Sequence, residues 1–210
     1  MSRFHAALDS ARALAIRSGR PVRSPPPLPG AVEAADLPLL RLWQAVEARL
    51  PACRCKVVQI AACAAGEDDP AVAVRLARLA GRTLGGGVVV LNGTPAVEGE
   101  GRGAVVFGPL PGQRGDPRAL DRRLLAAYWR HLRERAELVV VATPPVLESP
   151  LALAVAPTVD GVVLVVEAER TRVAVARAAR DTLAAGGANL LGVVLNKRRY
   201  PVPVALYEIL

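Results

Sequence analysis

Lysine is almost missing from this sequence: Lys56 and Lys197 are the only two among 27 basic residues, and the rest are arginine. A phosphate-handling enzyme commonly needs a lysine in its loop, and neither of these two stands in a glycine-rich stretch. Aromatic residues are equally scarce at 3%. A nucleic-acid surface clusters basic residues and interleaves them with aromatics, so the formal charge of +8 reads as a solvated arginine-rich surface and no nucleic-acid partner is expected. No apolar run approaches the roughly 18 residues that span a membrane; Pro144, Pro145, Glu148 and Asp160 break up the longest candidate. The opening Met-Ser-Arg-Phe-His lacks the apolar core of a signal peptide, and a cytoplasmic protein is expected. Cysteine is limited to Cys53, Cys55 and Cys63, an odd number with no second ligand pair, and His5 and His131 stand far off in sequence. Reduced thiols are expected, and no metal site.

What is present is apolar material for a core, 52% of 210 residues, enough for one domain. Phe4, Leu8, Ala11, Leu14 and Ala15 recur at helical spacing over 2–19. "RPVRSPPPLPG" over 20–30 reads as an extended linker, so residues 1–30 are taken as a helical extension and 31–210 as the main domain. A second helix is predicted over 37–50, carrying Leu39, Leu42, Trp43, Val46 and Leu50. From Lys56 onward apolar strands at 57–62, 87–92, 104–108, 138–142, 161–167 and 192–196 alternate with helical stretches at 70–81, 117–135 and 171–185. Strands apolar on both faces, separated by helices, imply an α/β fold with a mostly parallel sheet flanked by helices.

"AACAAGEDDPA", residues 61–71, follows the apolar run ending at Ile60 and precedes a helix. Strand, small-residue turn, glycine and helix are the layout of a phosphate-binding loop. Three further stretches follow in order: "VVVLNG", then "ELVVVATPPVLESPLALAVAPTVDGVVLVVEAERTR", then "GANLLGVVLNKRRY". With its opening "MSRFHAALDSARA", the whole chain resembles the cytoplasmic domain of the bacterial tyrosine autokinases of capsule and exopolysaccharide synthesis. These are P-loop proteins related to the partition and division-site ATPases. The third stretch is the most specific, because a hydrophobic strand, Thr-Pro-Pro and "APTVDGVVLVV" occur together there.

The resemblance implies a P-loop NTPase-like fold and a nucleotide site, and it locates what that site has lost. Gly66 and Glu67 stand where the family's first motif has them. Asp68 replaces its next glycine, Asp69 its lysine and Pro70 its Ser/Thr. An anion for a cation repels the triphosphate, and a proline removes a backbone donor at the helix start. The second motif's two aspartates correspond to Asn92 and Thr94, and the third motif's Mg²⁺-binding aspartate to Ala142. Three simultaneous losses imply no catalytic residue, and neither ATP nor Mg²⁺ is expected to be used. The same string serves folding instead: Asp69 suits a helix cap and Pro70 the first turn.

Asn196 matches the family's adenine contact and is equally suited to end its strand by bonding its own backbone. Tyr200 and Tyr207 fall where active members carry a phosphorylated tail; the neighbouring Pro201, Val202, Pro203 and Leu206 favour packing at the domain edge. The helix over 37–50 occupies the place of the family's oligomerisation helix without its Glu and first Arg, so ring assembly by that mode is not expected, while other oligomers remain open. Phe4, Leu8, Arg41 and an exposed Trp43 are expected to carry partner binding. The resemblance implies as partner a membrane-bound chain-length or export protein of polysaccharide synthesis, with an active homologous kinase as a second candidate. The chain would then lie in the cytoplasm, peripheral to the inner membrane through that partner. Two other functions are alternatives: a nucleotide-binding protein or weak ATPase or autokinase of the same pathway, and a basic nucleic-acid or membrane-surface binder using helix 2–19 and "KRR" at 197–199.

Overall fold

The computed structural model describes residues 37–65, 70–84, 86–92, 96–98, 104–111 and 120–197, with backbone only at 96–98. In chain order the elements are α1 (Leu37–Arg49), β1 (Lys56–Ala62), α2 (Ala71–Thr83), β2 (Val88–Leu91), β3 (Ala96–Glu98) and β4 (Val105–Gly108). They continue with α3 (Arg122–Arg133), β5 (Leu138–Thr143), α4 (Pro150–Val155), β6 (Gly161–Glu167), α5 (Val173–Ala185) and β7 (Leu190–Asn196). The sheet has the order β3-β4-β2-β5-β1-β6-β7. Every pairing is parallel except β3 with β4, which is antiparallel at one edge.

The valine-rich runs form strands because both faces of the sheet are covered. On one face Val58 and Ile60 of β1, Val88 and Val90 of β2, and Leu138 and Val140 of β5 pack under α1 and α2. On the other, Val57 and Ala61 of β1, Val139 and Val141 of β5, and Val162 and Leu164 of β6 pack under α3, α4 and α5. Alternation along each strand thus feeds two cores, and all six predicted strands appear within one or two residues of their expected bounds. The helical stretch 117–135 is observed as Arg122–Arg133, with Asp121 capping it by accepting from Arg123 N at 2.8 Å.

Two short elements, β3 and α4, went unread in the sequence. The region 1–36, including Phe4 and Leu8, lies outside the described residues, as do the tail tyrosines Tyr200 and Tyr207.

Trp43 is not an exposed contact: it is 3% exposed and belongs to the core beneath α1. Leu39, Trp43, Val46 and Leu50 recur every three or four residues and so share the face that meets the sheet. Arg41 lies exposed on α1, away from that face. Among the described residues no helix is long and apolar enough to cross a membrane.

Candidate functional site

Parallel strands present all their carboxyl ends on one side, which is where open α/β sheets hold ligands. β1 delivers Cys63, Ala64 and Ala65 there, β2 delivers Asn92, β5 delivers Ala142 and Thr143, and β7 ends at Asn196. Register brings several together. Ile60 pairs with Ala142 and Leu91 with Val141, so Asn92 and Ala142 lie at one level beside the end of β1. Asn196 pairs with Glu167 at the end of β6, two strands across from β5. Of the positions read as one nucleotide site in the sequence, Asn92, Ala142 and Asn196 lie at this rim of the sheet. Gly66, Glu67, Asp68, Asp69 and Thr94 lie outside the described residues.

Among the described residues the rim is chemically sparse. Ala142 carries only a methyl group near the end of β5. Asn92 donates its backbone N–H to Gly108 O at 3.2 Å, which fixes the chain as it leaves β2. Pro70 has helical angles, φ −60° and ψ −12°, and its carbonyl accepts from Val74 N at 3.0 Å. It stands at the N-cap of α2, one residue before the first turn expected for it, and needs no N–H there.

The two lysines lie at opposite ends of the sheet. Lys56 begins β1 at the opposite end of the sheet, about 20 Å of strand from the rim. Lys197 follows β7, and its Nζ pairs with Glu167 Oε2 at 3.3 Å. Glu167 is also approached by Arg170 at 3.7 Å, while Glu167 N donates to Thr171 Oγ1 at 2.9 Å. Among the described residues no three His, Cys, Asp or Glu side chains gather as a metal site.

Two carboxylates at this rim were not singled out from the sequence. One is Glu167, 14% exposed and held between cations. The other is Glu148, in the loop after β5, whose Oε1 accepts from the backbone N–H of Ala65. The same loop is stitched along the chain leaving β1: Val146 N donates to Ala62 O at 2.9 Å and Leu147 N to Cys63 O at 3.1 Å. A backbone amide of the loop after β1 thus faces a carboxylate of the chain itself. Only the 83-residue separation of Ala65 and Glu148 hid this pair.

No protein-family model and no curated protein matches the chain. Solved structures do. The kinase domain of Escherichia coli tyrosine kinase ETK superposes with a TM-score of 0.63 at 16% identity, covering 90% of this chain and 89% of that one. The VpsO kinase domain gives 0.60 at 20% identity, covering 79% and 93%. The MinD cell division protein of Aquifex aeolicus gives 0.53 at 12% identity, covering 73% and 72%. This is the P-loop NTPase fold. Tyrosine kinase domains and a cell division protein share it with this chain, in agreement with the sequence resemblance, and identities this low establish the fold alone.

Within this P-loop fold the oddest buried group is Gln59, fully buried in β1 just below the rim. Its Nε2 donates to Thr143 Oγ1 at 2.8 Å and to Ala152 O at 3.0 Å. Its Oε1 has no partner. A buried unpaired carbonyl costs about as much as one of those bonds returns, so the amide contributes little net stability. Gln59→Met, similar in volume, is expected to change unfolding free energy by less than about 1.5 kcal/mol. Denaturant unfolding checks this, and a loss above that range would show that the amide does more than tie β1 to β5 and α4.

Proposed function

We propose that this chain is a non-catalytic protein of P-loop fold that acts as a partner or regulator in bacterial exopolysaccharide or capsule synthesis or export. The observation that carries the loss of catalysis is the rim at β2 and β5. Asn92 and Ala142 sit level with each other where two strands would have to supply charged metal ligands. Asn is a poor substitute for an ionic Mg²⁺ ligand and Ala is none. Asn92 and Ala142 do not fit a Mg²⁺–nucleotide. Glu148 on Ala65 N–H and the commitment of Lys197 to Glu167 support the same reading. The pathway rests on the sequence resemblance, together with a fold shared with tyrosine kinase domains. The partner proposed is a membrane-bound chain-length or export protein, met through Arg41 and the region that contains Phe4 and Leu8.

Restoring the loop alone should not restore turnover. Asp69→Lys with Pro70→Ser would return a cation and a hydroxyl, but transfer requires metal as well as a grip on phosphate. The double variant is expected to release no phosphate from ATP above a blank in a coupled assay. Sustained hydrolysis would mean that the metal ligands lie elsewhere and that the pseudoenzyme reading is wrong.

A further inference from the structure

β7 is an edge of the sheet, and no described strand pairs with its outer side. Ala168 N donates to Asn196 O at 2.9 Å, so the peptide groups of Asn196 and, by alternation, of Val194 point to β6. Those of Val193 and Leu195 point outward. Val193 pairs with Leu164 and Leu195 with Val166, which sets both side chains on the face of the sheet that carries α3, α4 and α5. Leu164 is fully buried there, whereas Val193 and Leu195 are 56% and 52% exposed, so α5 stops short of β7. A right-handed crossover from β6 to β7 turns toward the same edge the flank of α5 that carries Val173, about 100° around the helix from Ala179 and Leu183. Val173 is 67% exposed. From Leu190 to Asn196 the edge has no charged residue and no proline, the devices that ordinarily stop one edge strand from pairing with another.

We propose that two copies of the chain meet at this edge, β7 against β7 in antiparallel pairing about a two-fold axis through Val194. Such an axis sets Val193 of each copy opposite Leu195 of the other. Both members of each pair have outward peptide groups and can exchange hydrogen bonds, while Val194 falls on the axis as the non-hydrogen-bonded pair between them. All four side chains then stand on one face of a continuous sheet, bordered by Val173 of each α5, so the apolar surface that one copy leaves open is covered by the same surface of the other. The register is narrow. A slip by one residue would set outward groups against Val194 and Asn196, whose groups are turned to β6. A slip by two would draw into the ladder either Lys197, left-handed at φ +55°, or Leu191, the extra residue where the β6–β7 register shifts. The contact does not depend on whether the chain binds nucleotide.

Light scattering of the full chain over a concentration series, with residue-resolved hydrogen exchange on the same samples, tests this. A dimer is expected to form as concentration rises, and the amides of Val193 and Leu195 are expected to become protected in step with it. Val193→Glu, and separately Val193→Thr with Leu195→Thr, should each weaken the dimer at least about tenfold. The threonine variant keeps strand-forming side chains at solvent-exposed positions, so it reads the contact even if the glutamate variant fails to fold. A chain that stays monomeric at every concentration would overturn the proposal. A dimer that the threonine variant leaves intact would place the contact elsewhere and overturn it too. Protection of the two amides in the monomer would mean that another part of the same chain covers the edge, and would equally overturn it.

Discussion

Trp43→Ala should destabilise the fold by about 3–5 kcal/mol, the range for removing a buried tryptophan. The indole lies under α1 against Val46, Leu76 and the sheet valines of one core. Truncation leaves a cavity that α1, pinned by Leu39 and Leu50 on either side, cannot readily close. Arg41→Ala, on the exposed part of the same helix, should stay within about 0.5 kcal/mol of the parent. Chemical denaturation of the two variants separates a structural tryptophan from a docking one. A stable Trp43→Ala protein would restore the docking role that burial argues against.

A second large effect is expected at the opposite end of the sheet from the candidate site. Asp160 precedes β6 and accepts from Val57 N at 2.7 Å and from Arg133 Nη2 at 2.7 Å, while Arg133 Nη1 donates to Cys55 O at 2.8 Å. This cluster ties α3, β1 and the start of β6 together. The hydrogen bond to Asp160 raises the pKa of Arg133, with burial partly opposing it, and burial pushes the Cys55 thiol up to about 11. Asp160→Ala would leave the Val57 amide, in a fully buried residue, and a half-buried guanidinium without their acceptor. The expected cost is about 2–4 kcal/mol. Asp160→Asn keeps one acceptor oxygen and should lose less. Equal losses for Ala and Asn would show that the charge, and not the bond to Val57, is what matters. A loss below about 1 kcal/mol for Ala would mean that the cluster is incidental.

How much of this was legible in the sequence follows from where each interaction runs. The runs around Val57, Val88, Leu138 and Val162 were readable because strands covered on both faces are apolar without interruption. β3 has three residues and α4 six, too few for either period to show. Trp43 was misplaced because α1 carries Leu37, Leu39, Leu40, Leu42 and Trp43 close together, and the helix alone does not say which side meets a sheet. The candidate site was legible as a set of absences, since Pro70, Asn92 and Ala142 each stand at the start of a helix or the end of a strand. Glu148 and Glu167 were not, because each acquires its role only when the fold brings a backbone amide or a distant lysine to it. Asp160 was read only as a break in an apolar run, although its partners at Val57 and Arg133 make it a structural residue.

The central claim, a P-loop fold without phosphoryl chemistry, is tested most directly by incubating the purified full chain with ATP and Mg²⁺ and following phosphate release and tyrosine phosphorylation together. The account predicts release no faster than a blank without protein, and no phosphate on Tyr200 or Tyr207 in the absence of another kinase. Turnover above the blank that disappears when residues 66–70 are mutated would contradict it.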